Sequence, residues 1–153
     1  MAVSFRRASN TKTKLPGSMD GLVINHFAVW AAAVANMIIG ALWYSPVLFF
    51  ERWKQAAGVT DAMIEKANMG KTYGLSFLMA LIIAYNLAAF LGEATTTATW
   101  GATAGFLAGF GFAGAMSTAI ALFEQKSGSY ILVNGGYIIV CFTVMGFIIG
   151  VWR

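Results

Sequence analysis

Apolar residues run through this chain in long uncharged stretches separated by three polar connections. Leu22–Tyr44, Tyr73–Gly92, Thr97–Phe123 and Tyr130–Trp152 contain no Asp, Glu, Lys or Arg. As helices, each is long enough to cross roughly 30 Å of hydrocarbon. Inside a bilayer the backbone must satisfy its own hydrogen bonds, so a single apolar run of this length is helical even where it is rich in glycine. The pattern predicts an all-α membrane protein, a four-transmembrane-helix bundle with spans at about 22–44, 73–92, 97–123 and 130–152.

A second pattern lies inside the first. Every fourth residue of the third span is small: Thr97, Gly101, Gly105, Gly109, Ala113, Ser117 and Ala121. Weaker ladders run through Ala28, Ala32, Asn36 and Gly40, and through Ser76, Ala80, Ala84, Ala88 and Gly92, while Gly146 and Gly150 form a G-x-x-x-G pair. Small residues at this spacing cut a groove into which a neighbouring backbone can settle. Gly101, Gly105, Gly109, Ala113, Gly146 and Gly150 are therefore the expected helix-packing positions. The Gly101–Gly105–Gly109 groove has two candidate occupants, the Gly146–Gly150 face of the same chain or the same groove in another copy.

The connections carry their own signals. Ser45-Pro46 reads as a helix start. Beyond it, Phe49, Phe50, Trp53, Ala56 and Ala57 share one helical face, and Glu51, Arg52, Lys54 and Gln55 occupy the other. This is the signature of an amphipathic helix lying in the membrane interface, ended by Gly58. Thr60-Asp61 should cap a second short helix reaching about Met69, with Gly70 as a break, so the interfacial segment covers about 46–69. Trp43, Tyr44, Trp53 and Lys71 are placed to anchor the chain at headgroup level. Residues 1–19 read as a disordered basic tail ahead of one domain over 20–153, and the first span reads as uncleaved.

Composition agrees. Of 153 residues, 59% are hydrophobic and 10% charged, against about 25% charged in soluble domains. The net charge of +4 sits in the tail and around Arg52–Lys71, where it meets lipid headgroups rather than nucleic acid. Lys and Arg do not decide orientation: Arg6, Arg7, Lys12, Lys14 and Arg153 on one side face Arg52, Lys54, Lys66, Lys71 and Lys126 on the other. A start at Met19 would break the tie and put the first connection in the cytoplasm.

What chemistry could the spans hold? Their polar residues are neutral. Asn36, Tyr85, Asn86, Asn134 and Thr143 could hydrogen-bond between helices or line a polar path. Counting about 1.5 Å per residue puts Asn36 and Asn86 at different depths, which excludes a direct bond between them. His26 is the single histidine, and no Cys/His cluster exists to hold a metal or haem. Glu93 and Glu124 fall on opposite membrane faces and cannot act as a pair. No catalytic residue, cofactor or metal site is expected, and Cys141 should be inert.

Gly40-Ala41-Leu42-Trp43-Tyr44-Ser45-Pro46, Trp53, Met69-Gly70-Lys71, Leu122-Phe123-Glu124, Asn134-Gly135-Gly136-Tyr137 and Met145-Gly146 occur in that order. Over about residues 20–153 this resembles the bacterial "domain of unknown function 1761" family of small four-span membrane proteins. The resemblance implies an integral membrane protein and supplies no activity. The residues themselves favour a non-enzymatic structural or accessory protein that packs into a homo-oligomer or larger complex in the lipid bilayer, and the resemblance implies that this is the bacterial cytoplasmic membrane. The alternative is a passive transporter or channel for a small neutral or lipid-like solute.

Overall fold

The computed structural model describes residues 24–93 and 95–152; the tail over 1–19 and the first residues of the first span lie outside the described residues. The chain forms α1 (His26–Trp43), α2 (Phe50–Ala57), α3 (Asp61–Lys66), α4 (Met69–Phe90), α5 (Ala98–Ala108), α6 (Ala115–Phe123) and α7 (Gly128–Val151), with a π-helical segment, Gly109–Gly114, joining α5 to α6. The helices His26–Trp43, Met69–Phe90, Ala98–Phe123 and Gly128–Val151 are long and apolar enough to span a membrane. The described residues contain no strand. The protein is an all-helical, multi-pass membrane protein.

The spanning helices begin on neutral caps. Asn25 Oδ1 accepts from Phe27 and Ala28, Asn68 Oδ1 from Lys71, Thr97 Oγ1 from Trp100, and Ser127 Oγ from Tyr130. Each satisfies an amide that the first helical turn leaves unpaired.

Three expectations about the connections change. Ser45 does not start a helix. Its hydroxyl donates to the Leu42 carbonyl at 2.7 Å, and its own carbonyl accepts from Leu48. Pro46 thus takes the second position of a turn, which its fixed φ suits, and α2 begins only at Phe50. The second short helix is capped by Thr60 but ends at Lys66. Gly70 is no break, because Asn68 restarts the helix and α4 runs through Gly70 and Gly74. A bilayer-bound helix tolerates these glycines because every backbone bond stays within it.

Helix α7 is central. It packs against α5 along most of its length, against α1 on another side, and against α2 at its start; α1 in turn packs on α4. The order across the molecule is therefore α4, α1, α7, α5. Neighbours in this row are antiparallel. Helices α4 and α5 are joined by a short connection, yet they form no extended contact with each other. Val29, Ala32 and Ala33 of α1, Ala80, Ala84, Leu87 and Ala88 of α4, Leu91, and Met145 and Ile149 of α7 form the core. Alanine dominates it because α1 and α4 approach through their ladders.

The connection between α1 and α4 folds over the membrane surface end. The apolar side of α2 turns inward: the Trp53 ring meets the edge of Tyr44 at 5.5 Å, and Phe49 lies 4.7 Å from Trp43. Glu51, Arg52 and Gln55 are exposed. Lys54 and Asp61 form an ion pair that ties α2 to α3, and the Asp61 hydrogen bond holds the Lys54 ammonium above the ordinary lysine range.

Candidate functional site

Besides the alanine-rich core that α1 and α4 share, the spans meet in two seams on opposite sides of α7. The first is made of glycine. A Cβ on Gly101 would overlap the carbonyl oxygen of Gly146, and one on Gly146 would overlap that of Gly101. The same construction on Gly105 strikes the Phe142 carbonyl, on Gly150 the Thr97 carbonyl at 2.6 Å, and on Gly109 the Phe142 Cβ at 2.8 Å. Each four-residue step along α5 is matched by a four-residue step back along α7. Of the two occupants open to the groove, the chain's own α7 fills it. The missing Cβ leaves a Cα hydrogen pointing at the opposite oxygen, and such contacts contribute about 0.5–1 kcal/mol each.

Ala113 does not continue this seam. The π-helical segment adds a residue to the turn after Gly109, and Gly114 becomes the buried position while Ala113 is only partly buried. A Cβ at Gly114 would stand 2.7 Å from the Gly109 oxygen, so the widened turn itself demands glycine. A ladder read at strict four-residue spacing misses this, because a π turn resets the phase by one residue.

The second seam joins α1 to α7 through aromatic rings and amides. Asn36, Gly40 and Tyr44 occupy one side of α1, spaced four apart. Asn134, Tyr137 and Cys141 lie along one side of α7. Tyr44 Oη donates to Asn134 Oδ1 at 2.7 Å, and Asn134 Nδ2 donates to the Tyr130 carbonyl at 3.0 Å. Tyr137 fills the space over Gly40, where a Cβ would come within 3.2 Å of its hydroxyl. Asn36 and Cys141 are its polar neighbours there. Trp43 Nε1 donates to the Val133 carbonyl at 3.0 Å and lies against Gly136. Tyr137, absent from the expected site residues, is the hub of this seam. Its spacing of three from Asn134 and four from Cys141 was the available signal.

The remaining polar residues are not brought together. Tyr85 Oη lies 3.1 Å from His26 Nδ1 at the far end of the α1–α4 contact. Asn86 donates to its own Ile82 carbonyl at 2.8 Å and is exposed. Thr143 donates to its own Ile139 carbonyl at 2.7 Å. Asn36, Tyr85, Asn86 and Thr143 therefore share no common lining. Lys71 sits in the first turn of α4, exposed, and Trp53 stands beside Tyr44.

An open groove of about 410 Å³ lies between α2 and the start of α7, lined by Glu51, Arg52, Gln55, Ala56, Ser127 and Ser129. None of the expected site residues lines it. Among the described residues no group of three or more His, Cys, Asp or Glu is placed to hold a metal ion, and no buried side-chain N or O lacks a hydrogen-bond partner.

No match was found among curated proteins or among solved structures. The family model described as "Protein of unknown function (DUF1761)" matches residues 27–150, a stretch holding both seams and the connection that covers them, and the chain belongs to that family.

Proposed function

We propose that this protein is a non-enzymatic structural or accessory component of a membrane, the bacterial cytoplasmic membrane, which acts by associating with other membrane helices as a homo-oligomer or within a larger complex. One observation supports this most: the polar side chains named for a path make helix contacts or turn onto their own backbone and do not converge, while large apolar faces remain outside. Trp100, Phe106, Leu107, Phe110, Phe112 and Met116 are all exposed on a span that packs chiefly on α7. The transporter reading needs Asn36, Tyr85, Asn86 and Thr143 along one path, and their separation gives it no support.

The groove between α5 and α7 is not the assembly face in this reading, because the chain fills it. Association would use the outer faces. The test is single-molecule photobleaching of the labelled full chain in liposomes at low density, together with recovery of co-purifying membrane proteins. Multi-step bleaching or a stoichiometric partner is expected. A monomer without a partner, or one that carries neutral solutes into liposomes, would overturn the proposal.

A further inference from the structure

Resting on the assembly reading above, we propose that the outward face of α4 is the contact between two copies of this chain, and that the Asn86 carboxamides pair across a two-fold axis. Leu75, Met79, Ile82, Asn86 and Ala89 are all exposed. They alternate in steps of four and three residues, the 3.5-residue average with which one helix presents a straight seam to another. At about 100° per residue this seam points directly away from the buried Ala80, Ala84, Leu87 and Ala88.

Asn86 sets this face apart from an ordinary lipid-facing one. One amide hydrogen goes to Ile82 O, and the other hydrogen and Oδ1 have no partner among the described residues. The residue lies four positions inside the end of α4 at Phe90, and side chains on a helix lean toward its N-terminus. Here that direction is deeper into the membrane. The bond to Ile82 holds the carboxamide there, so this short side chain cannot reach the headgroups. An amide facing hydrocarbon with a donor and an acceptor unspent is costly. The thrifty complement is a group that both donates and accepts at the same depth, and a two-fold axis along the membrane normal supplies it with a second Asn86. Thr103, exposed at depth on the third span, does not make this demand: its hydroxyl donates to the Thr99 carbonyl. A single amide in an apolar seam also fixes register and copy number, as in soluble coiled coils.

The experiment uses the full chain in liposomes. The dimer fraction is measured against protein-to-lipid ratio for the wild type, Asn86→Leu and Asn86→Gln. Asn86→Cys and Phe112→Cys are cross-linked with a mild oxidant, the wild type with its buried Cys141 serving as the blank. We expect a wild-type dimer weakened roughly tenfold by Asn86→Leu, retained in Asn86→Gln, and cross-linked by Asn86→Cys but not by Phe112→Cys. A wild-type dimer unchanged by Asn86→Leu and not trapped by Asn86→Cys would overturn the α4 seam and leave the assembly reading standing. Association only with a different membrane protein would do the same. A wild-type chain monomeric at every ratio, with no partner, would overturn both.

Discussion

Gly101 and Gly146 face each other so closely that the carbonyl oxygen of each occupies the space a Cβ on the other would need. The obstacle is backbone on both sides, so no rotamer change can relieve it. Gly101→Ala or Gly146→Ala must push α5 off α7 along the seam, and overpacking of this kind costs about 1–3 kcal/mol or more. Gly135→Ala is the control, because nothing lies within 4 Å of a Cβ there. Unfolding in mixed detergent micelles should give a lower midpoint for the first two variants and an unchanged one for Gly135→Ala.

The π-helical segment yields a prediction of opposite sense. It exists because one residue too many separates Gly109 from Gly114 for both to face α7 in an α-helix. Deleting Gly111, which is exposed and meets nothing, would bring them to a spacing of four, with three residues between, and let an unbroken α-helix keep both on the seam. The deletion should therefore cost less than about 1 kcal/mol, while Gly114→Ala, which meets the Gly109 oxygen at 2.7 Å, should cost about 1–3 kcal/mol. The same unfolding assay checks both, and a deletion variant that fails to fold would show the bulge to be required.

These contacts mark how far the sequence could be read. The four spans follow from charge-free length, and the inward face of α2 follows from Phe49, Phe50 and Trp53 recurring at helical spacing. The glycine groove was legible as a groove; its occupant was not, because periodicity describes one helix at a time. Ser45-Pro46 misled because the same two residues serve a helix start and a tight turn, and the choice lies with the Leu42 carbonyl that Ser45 reaches. Ala113 misled because no local signal marks a π turn. Tyr137 was hidden among many aromatics, since its role depends on Asn36 and Gly40 roughly a hundred positions away.

Tyr44 and Asn134 offer a test of the second seam. Tyr44→Phe keeps the ring against Trp53 and Tyr137 but leaves Asn134 Oδ1 without its donor, which should cost about 1–2 kcal/mol. Removing both partners in Tyr44→Phe with Asn134→Leu spares that unpaired acceptor. The double variant should be less destabilised than the sum of the singles, a coupling that a double-mutant cycle in detergent measures directly. Strict additivity would mean that the bond contributes nothing to the seam.

The turn after α6 carries the last prediction, a stabilising one. Gln125 has φ 56°, the left-handed conformation in which a side chain costs roughly 1–2 kcal/mol. It holds that position because the turn closes the helix end: Lys126 N donates to the Ala121 carbonyl and Gln125 N to the Leu122 carbonyl. Glycine normally fills this place, as Gly58 does at the end of α2 with φ 71°. Gln125→Gly relieves the strain and gives up one exposed bond from Gln125 Nε2 to Leu122 O, worth about 0.5–1 kcal/mol. The balance is a gain of about 0.5–1 kcal/mol, read as a raised unfolding midpoint. Gly58→Gln, the reverse exchange in the same kind of turn, should lower it by a similar amount. If both substitutions moved the midpoint the same way, backbone conformation would not be what governs these two turns.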